Sequence, residues 1–387
     1  MRTKPPRTRN DSLILESATD VIGRVGVGGA TLNAVARQAG LSHTAMTQRF
    51  QNSGELLGSV WEHRVLSDFL LPLVALARSV IESDEFGMSR LREEIGRVVF
   101  SNEYLSLATE MFCAFPCNMS LRPLVQESFL EVSAFGEMES REALVQQAYI
   151  IELLLGAAIV SRTLPAQHDL LVARLARMLT DAREAHAEEP VPETDASHLI
   201  SYPFDTGSEK LDRVLASCLW HVAEVGFDGM STKKIAQRAG VSEGYIFSVF
   251  KTKAEIFLHA TELQEQMGLE ANRIYAQGTG AAFDEYMSNA IFLRDWQKPE
   301  LSRQRAIMLE QRRAAWHNDE MKQNSAKALE NLISSLAGDR DVLTDEGRVT
   351  LLLNLALPIG AAVMAEMYPA ISGYSHTVVT PSLNLEG

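Results

Sequence analysis

The sequence between Thr232 and Phe257 reads TKKIAQRAGVSEGYIFSVFKTKAEIF and contains two short helix-like segments around one tight turn. Ser231 and Ser242 stand where the segments begin, and serine is a favoured N-cap because its hydroxyl accepts a hydrogen bond from an unpaired backbone N–H. Gly240 permits the left-handed backbone that ends a helix. The apolar positions expected to face inward are Ile235, Val241, Ile246 and Phe250. This spacing predicts a helix-turn-helix, whose second helix enters the major groove of DNA.

A related stretch, TLNAVARQAGLSHTAMTQRFQNSGELL, runs from Thr31 to Leu57, 200 residues earlier and without a gap. It predicts one helix from Thr31 to about residue 39, a turn at Gly40 and a second helix over about 43–50. Chance could match apolar positions, but it would not also place several glycines and a serine in register. The chain therefore contains an internal duplication by this criterion. Identical pairs include Leu15 with Leu215, Gly26 with Gly226, Gly29 with Gly229, Gly40 with Gly240, Ser42 with Ser242 and Phe50 with Phe250.

Helical periodicity dominates the rest of the sequence, and no long strand-like alternation interrupts it, so the predicted fold class is all-α. The polar segment 188–208 contains prolines and reads as a linker between two units. Residues 371–387 read as a non-helical tail, so the second unit is expected to lack a counterpart of the helix at 166–186. The predicted domains are a first helix-turn-helix headpiece (1–57), a first helical ligand-binding and dimerisation domain (58–187), the linker, a second headpiece (209–257), a second such helical domain (258–370) and the tail.

Composition narrows the functional class. The formal net charge is −14, yet residues 1–64 carry eight Lys or Arg against five Asp or Glu, a distribution that suits a protein docking DNA by one face. Three cysteines are too few for a disulfide framework and fit a reducing compartment. Cys113 and Cys117 are interpreted as buried small hydrophobes rather than a redox or metal pair. No signal peptide is recognisable, and the apolar stretch 143–160 contains polar residues that favour a buried helix over a membrane span, so we expect a cytoplasmic protein.

The segment 232–257 resembles the headpiece of the TetR/AcrR family of transcriptional regulators. The matching positions are Ile235-Ala236, Ala239 to Ser242, Gly244, Phe247, Phe250 and Lys253. The first copy resembles the same motif but has Thr44, Thr47 and Ser53 where Gly, an aromatic residue and Lys are usual. The resemblance implies that each remaining helical region senses a ligand among its middle helices and dimerises through its last two helices, which form a four-helix interface.

The predicted DNA contacts are of two kinds. Cations, hydroxyl groups and helix N-termini suit contacts with phosphate, whereas exposed side chains of the second helix suit contacts with bases. Glu243 could accept from cytosine N4 or simply be a solvated residue stabilised by the helix dipole. Gln48 could read adenine, and Arg49 could reach a phosphate or guanine. In the second unit the candidates are Ser231, Thr232, Lys233, Ser242, Glu243, Gly244, Tyr245, Phe247, Ser248 and Lys253. In the first unit they are Thr31, Asn33, Ser42, His43, Thr44, Ala45, Thr47, Gln48 and Arg49.

The middle helices contain aromatic side chains that would suit a mostly apolar small-molecule effector. The candidate ligand-binding residues are Tyr104, Phe112, Phe115, Tyr286, Trp296, Trp316 and His317. Such stripes also occur in ordinary cores. No cofactor or metal is expected.

Three functions fit these observations. The first is a ligand-responsive repressor in which the effector alters the separation of two headpieces that must lie about 34–36 Å apart on successive major grooves. Its two units would pair as an intramolecular pseudo-dimer, or chains would dimerise further, on operator DNA. The second is a helical enzyme, disfavoured because no metal-binding helix motif, P-loop or nucleophile elbow occurs, so no enzyme is predicted. The third is a helical scaffold or partner-binding protein of the same fold in which one or both headpieces no longer bind DNA.

Overall fold

The computed structural model describes residues 9–82, 87–138, 140–162, 168–184, 203–282, 285–337 and 344–374, and every regular element in these ranges is helical. The all-α prediction is therefore confirmed. Two π-helical stretches, Trp61–Leu70 and Gly96–Phe100, join α4 to α5 and extend α6. The first half contains α1 (Arg9–Val25), α2 (Leu32–Ala39), α3 (His43–Thr47), α4 (Ser53–Val60), α5 (Leu71–Glu82), α6 (Met88–Ile95), α7 (Leu105–Ala114), α8 (Arg122–Ser133), α9 (Arg141–Ser161) and α10 (His168–Glu184).

The second half repeats this order as far as α9. It contains α11 (Glu209–Gly229), α12 (Thr232–Ala239), α13 (Glu243–Val249), α14 (Lys253–Ala282), α15 (Glu285–Trp296), α16 (Ser302–His317), α17 (Asp319–Ala337) and α18 (Asp345–Met367). A short 3-10 turn, Pro369–Gly373, follows α18. The predicted non-helical tail, 371–387, is wrong for residues 371–373, which belong to this 3-10 turn. The rest of the tail beyond residue 374 lies outside the described residues, as does most of the predicted linker.

One other sequence-based expectation was wrong in detail. The second helix of the first unit was predicted over about 43–50 but ends at Thr47. The bounds of α7 could not be predicted, because apolar residues occupy most of its faces and leave no amphipathic stripe. All but its first two residues are buried, including the ionisable Glu110.

The longest interface in the fold joins α9 to α18, and α10 packs against both. The two helices approach so closely that a methyl group added to Gly156 would overlap the Ala356 carbonyl group, and one added to Gly360 would overlap the Glu152 carbonyl group. Both helices are long and apolar enough to cross a membrane by length and composition. In this structure, however, 94% and 83% of their most apolar windows are buried inside the protein.

A second interface joins α7 and the turn after it to α16 and α11. At the edge of this interface Gly28, in the turn after α1, lies against the side chain of Asp228. The two headpieces therefore touch directly. The first packs on α7, and the second packs on α16 and on the turn after α7. Cys113, on α7, and Cys117, in the turn after it, are buried free thiols, and their burial is as predicted.

Candidate DNA-binding interface

The second headpiece has the geometry of a capped helix-turn-helix. Ser231 Oγ accepts a hydrogen bond from Lys234 N at 3.3 Å, and Ser242 Oγ accepts one from Tyr245 N at 3.1 Å. Gly240 has φ 67°, a left-handed conformation that glycine adopts without strain from a Cβ. The predicted inward positions Ile235, Ile246 and Phe250 are buried, whereas Val241 is half-buried.

The first headpiece repeats this geometry. Thr31 Oγ1 accepts from Ala34 N at 3.2 Å, and Ser42 Oγ accepts from Ala45 N at 3.1 Å. Gly40 has φ 65°. The similarity therefore extends from the sequence to the caps and the turn conformation.

The outward side of α13 carries most of the base contacts predicted for the second unit. Glu243, Gly244, Phe247 and Ser248 are exposed, whereas Tyr245 is half-buried. Phe247 is 55% exposed, so its apolar side chain is free to contact a partner. The Ser248 hydroxyl donates to the Tyr245 carbonyl at 2.7 Å, so a base contact would use its remaining acceptor capacity.

On the first unit, α3 presents a different set of side chains. His43, Thr44, Thr47 and Gln48 are exposed, and Ala45 is half-buried. Arg49 is less available than its sequence position indicated, because its Nε lies 2.8 Å from Asp11 Oδ1 and its Nη1 donates to the Ala45 carbonyl. A phosphate or guanine contact would require Arg49 to leave these partners.

The candidates for phosphate contact surround both recognition helices. Lys233, Asn33 and Thr31 are exposed, whereas Ser231 and Thr232 are half-buried at the N-terminus of α12. These residues are placed where backbone N–H groups of a helix start also point outward, which favours an anion.

Lys253 has a structural role that its sequence position did not reveal. Its Nζ lies 2.8 Å from the Phe227 carbonyl oxygen and 3.3 Å from the carbonyl oxygens of Asp228 and Met230. It also lies 4.6 Å from the centre of the Phe227 ring. Burial lowers the pKa of this ammonium group, while nearby Asp228 opposes that shift. Lys253 thus ties α14 to the C-terminal end of α11. Its phosphate contact stays a prediction.

Residues 222–260 match the family model described as bacterial regulatory proteins of the tetR family. This segment is similar to the DNA-binding domain of TetR-type regulators. The match covers the C-terminal part of α11, all of α12 and α13 and the start of α14, which is the part described above from its geometry. It supports a DNA-binding transcriptional regulator of the TetR family. A comparison of the sequence with curated proteins gives no match.

The TetR-type domain is held to the helical body by a buried carboxylate that sequence reasoning missed. Glu310 on α16 accepts from the backbone N–H of Phe227 at 2.8 Å. In the first half Glu110 on α7 accepts from the backbone N–H of Val27 at 3.0 Å. Both residue pairs are separated by the same 200 positions, so extending the repeat comparison beyond residue 57 would have found them.

The candidate ligand-binding residues do not gather around one pocket. Phe112 and Phe115 are fully buried core residues, and Phe112 packs edge-on against Trp61 with ring centres 5.5 Å apart. Tyr104 lies beneath the Arg64 guanidinium, and the Trp296 indole donates to the Pro358 carbonyl. The side chain of Tyr286 lies outside the described residues.

The last two ligand candidates lie at the interface between the halves. The Trp316 ring stacks 3.7 Å from the Arg162 guanidinium carbon, and its indole N–H is buried without a hydrogen-bond acceptor. His317 Nε2 lies 2.9 Å from Glu110 Oε2. A small cleft does occur elsewhere, between α9, α10 and α18, lined by residues such as Val160, Leu171 and Leu353. No group of three or more potential metal ligands occurs among the described residues.

Proposed function

We propose that this chain is a transcriptional regulator in which two TetR-like units, fused head to tail, pair within one chain and present two recognition helices to double-stranded operator DNA. The observation that carries the proposal is the repeated helix-turn-helix, with equivalent serine caps at Ser42 and Ser242 and equivalent left-handed glycines. Both recognition helices keep an exposed outer face and a buried inner face.

The α9–α18 interface supports pairing within the chain. Gly156 lies against Ala356, and Gly360 lies against Glu152. Within each equivalent pair the residue numbers differ by 204, so the two helices exchange roles in the two contacts. Exchanged contacts of this kind are what a two-fold arrangement of two similar units produces.

The interface between the headpieces favours a pairing of unlike halves. Gly28 makes room for Asp228, its equivalent in the other half. Two first halves would bury Glu110 without Arg313, which is costly. Two second halves would place the partly exposed Asp228 side chains against one another. We therefore favour the intramolecular pseudo-dimer over homodimers that each use one headpiece.

The two recognition helices would read unlike half-sites. Gln48, which directly follows α3, can bond adenine in a bidentate manner, and α13 offers Phe247 for apolar contact with sugar or a thymine methyl group. Glu243 could accept a hydrogen bond from cytosine N4 or remain solvated. The operator is therefore expected to lack exact two-fold symmetry.

Selection from a random-sequence duplex pool tests the proposal. The full-length chain should enrich one site with two unlike halves, and binding should weaken as salt rises because phosphate contacts release counterions. Phe247→Ala should weaken binding through one half-site and Gln48→Ala through the other. Leu71→Ala, which truncates an exposed apolar side chain outside the headpieces, should leave binding unchanged. Failure to enrich any site at low salt would refute the proposal and favour the helical scaffold.

A mostly apolar small molecule that carries a hydrogen-bond acceptor would release the DNA. The regulator would then be a repressor that acts in the cytoplasm. The support is the buried Trp316 indole N–H, which lacks an acceptor and lies at the interface between the halves. A ligand bound there could shift the balance between headpiece arrangements. A compound that releases the selected duplex from wild-type protein but not from Trp316→Phe would support this site. Equal release from both proteins would exclude it.

A further inference from the structure

The buried charges between the two headpieces converge on one arginine. Arg313 Nη1 lies 3.0 Å from Glu110 Oε1, while Nε and Nη2 lie 2.8 and 2.9 Å from the two oxygens of Glu310. Nη2 also lies 2.9 Å from Asp228 Oδ2. The arginine and glutamate side chains are at most 4% exposed. One guanidinium therefore joins carboxylates from both halves of the chain.

Each of those glutamates holds the turn between the first two helices of its headpiece. Glu110 accepts from Val27 N and Glu310 accepts from Phe227 N. These N–H groups directly follow Gly26 and Gly226, whose φ values of 79° and 69° mark a sharp change of direction after α1 and within α11. The bridge therefore links the two points at which the headpieces leave their first helices.

The charges in this cluster depend on one another. Burial alone would raise the pKa of Glu110, but the hydrogen bond with His317 and the charge of Arg313 bring it below its ordinary value. Burial opposes the charged form of Arg313, yet Glu310 and Glu110 together raise its pKa. Removing the guanidinium would leave buried carboxylates facing one another, so they would separate or admit water.

The bridge has no duplicate, because the residue equivalent to Arg313 in the first half is Cys113. The Cys113 side chain is uncharged, since burial raises the pKa of its thiol. Arg313 is therefore the one arginine of this equivalent pair, and it pairs with both glutamates. No arginine at the equivalent position of the first half can replace it.

We propose that Arg313 is a positioning residue that fixes the separation of the two recognition helices and thereby selects the distance between the DNA half-sites. The inference rests on the proposed function, since it concerns how the same interface is held. Arg313 itself does not touch DNA. It acts through Glu110 and Glu310 on the turns that orient the two headpieces.

The test measures binding of the full-length chain to the selected site with its central spacer shortened or lengthened by one or two base pairs. Each added base pair moves one half-site by about 3.4 Å and rotates it by about 35°. Wild type should bind the altered spacers at least about tenfold more weakly than the best one, comparable to mismatching a specific base pair. Arg313→Gln should bind the best spacer more weakly and should discriminate among spacers by less than about threefold.

Arg305→Gln is the matched control. Arg305 lies on the same helix, is 2% exposed and pairs with Glu366, away from the headpieces. This variant should lose stability yet keep the wild-type spacer preference. Arg313→Lys retains the charge and should restore part of the preference, although it cannot reproduce the fork of hydrogen bonds.

Gly28→Ala perturbs the same separation without removing a charge, because its methyl group would overlap Asp228. Gly28→Ala should also broaden or shift the spacer preference. It provides the test if Arg313→Gln does not fold. A wild-type spacer preference in either variant would overturn the inference while leaving DNA binding intact. Absence of DNA binding by the wild type would instead refute the proposed function, and this inference with it.

Discussion

Replacing Gly156 by alanine should push helices α9 and α18 apart and lower the stability of the protein. The added methyl carbon would lie 2.6 Å from the Ala356 carbonyl carbon, whereas optimal contact between carbon atoms is about 3.5–4.0 Å. The obstacle is helix backbone, which cannot rotate away as a side chain could. Helices α9 and α18 must therefore move apart by about 1 Å, and a gap of that size forfeits a quarter to a half of each packing contact.

Two contributions to the free energy of unfolding oppose each other in this variant. Alanine is favoured over glycine inside a helix by about 0.5–1 kcal/mol. Overpacking a tight interior costs about 1–3 kcal/mol, and a backbone obstacle places Gly156→Ala near the upper end. We expect a net loss of about 2 kcal/mol, measured by urea unfolding of the full-length chain.

Gly23 supplies the control, because a methyl group added there meets nothing within 4 Å on helix α1. Gly23→Ala should therefore stabilise by about 0.5–1 kcal/mol. Gly360→Ala should resemble Gly156→Ala, and the double variant should lose less than the sum, since helices already separated accommodate a second methyl group. A Gly156→Ala protein as stable as Gly23→Ala would refute the close pairing of α9 with α18.

Three further predictions concern buried groups and caps. Burial raises the pKa of Glu152 to about 8 despite a hydrogen bond from Gln297. At any pH between the ordinary glutamate pKa and about 8, folding therefore takes up a proton at Glu152. The stability of the protein accordingly falls as the pH rises towards about 8. Glu152→Gln should therefore gain on wild type by about 1 kcal/mol per pH unit between pH 5 and 8 in urea unfolding, and an advantage independent of pH would contradict this. Lys253→Met should lower the free energy of unfolding by about 1–2 kcal/mol in the same assay, because three carbonyl groups lose their hydrogen-bond donor. Lys251→Met, at an exposed position, should not lower it. Equal effects of the two substitutions would argue against the structural role of Lys253. Ser242→Ala removes the cap of α13 at a cost of about 1 kcal/mol, so the Tyr245 amide should exchange hydrogen about fivefold faster, and unchanged exchange would exclude the cap.

Local chemistry explains why the headpieces could be predicted from sequence. A cap such as Ser42 and a turn glycine such as Gly40 act on backbone groups a few residues away, so their types and spacing determine the geometry. The same rules held in both halves, although the recognition helix of the first half proved shorter than expected.

The contacts between the halves could not be predicted in the same way. Glu110 lies on α7, whose nearly uniform burial erased the periodicity on which helix prediction depends. Its partner Arg313 is distant in sequence, and which faces meet is decided by tertiary packing. For the same reason the engagement of Arg49 by Asp11 and of Lys253 by three carbonyl groups became visible only in three dimensions.

The ligand-binding candidates show that aromatic residues in a sequence do not by themselves predict a ligand-binding pocket. Phe112 and Phe115 were chosen for their type and helical position, which core residues share. In the structure they pack in the core of the first half. Trp316 and His317 instead mark the interface between the halves, where aromatic and charged side chains meet.

The mass of the protein–DNA complex tests most directly whether one chain reads both half-sites. Native mass spectrometry of the full-length protein on the selected duplex should show one chain per duplex, with footprints over both halves of the site. Two chains per duplex on a palindromic site, with binding sensitive to Phe247→Ala but not to Gln48→Ala, would contradict the intramolecular pseudo-dimer.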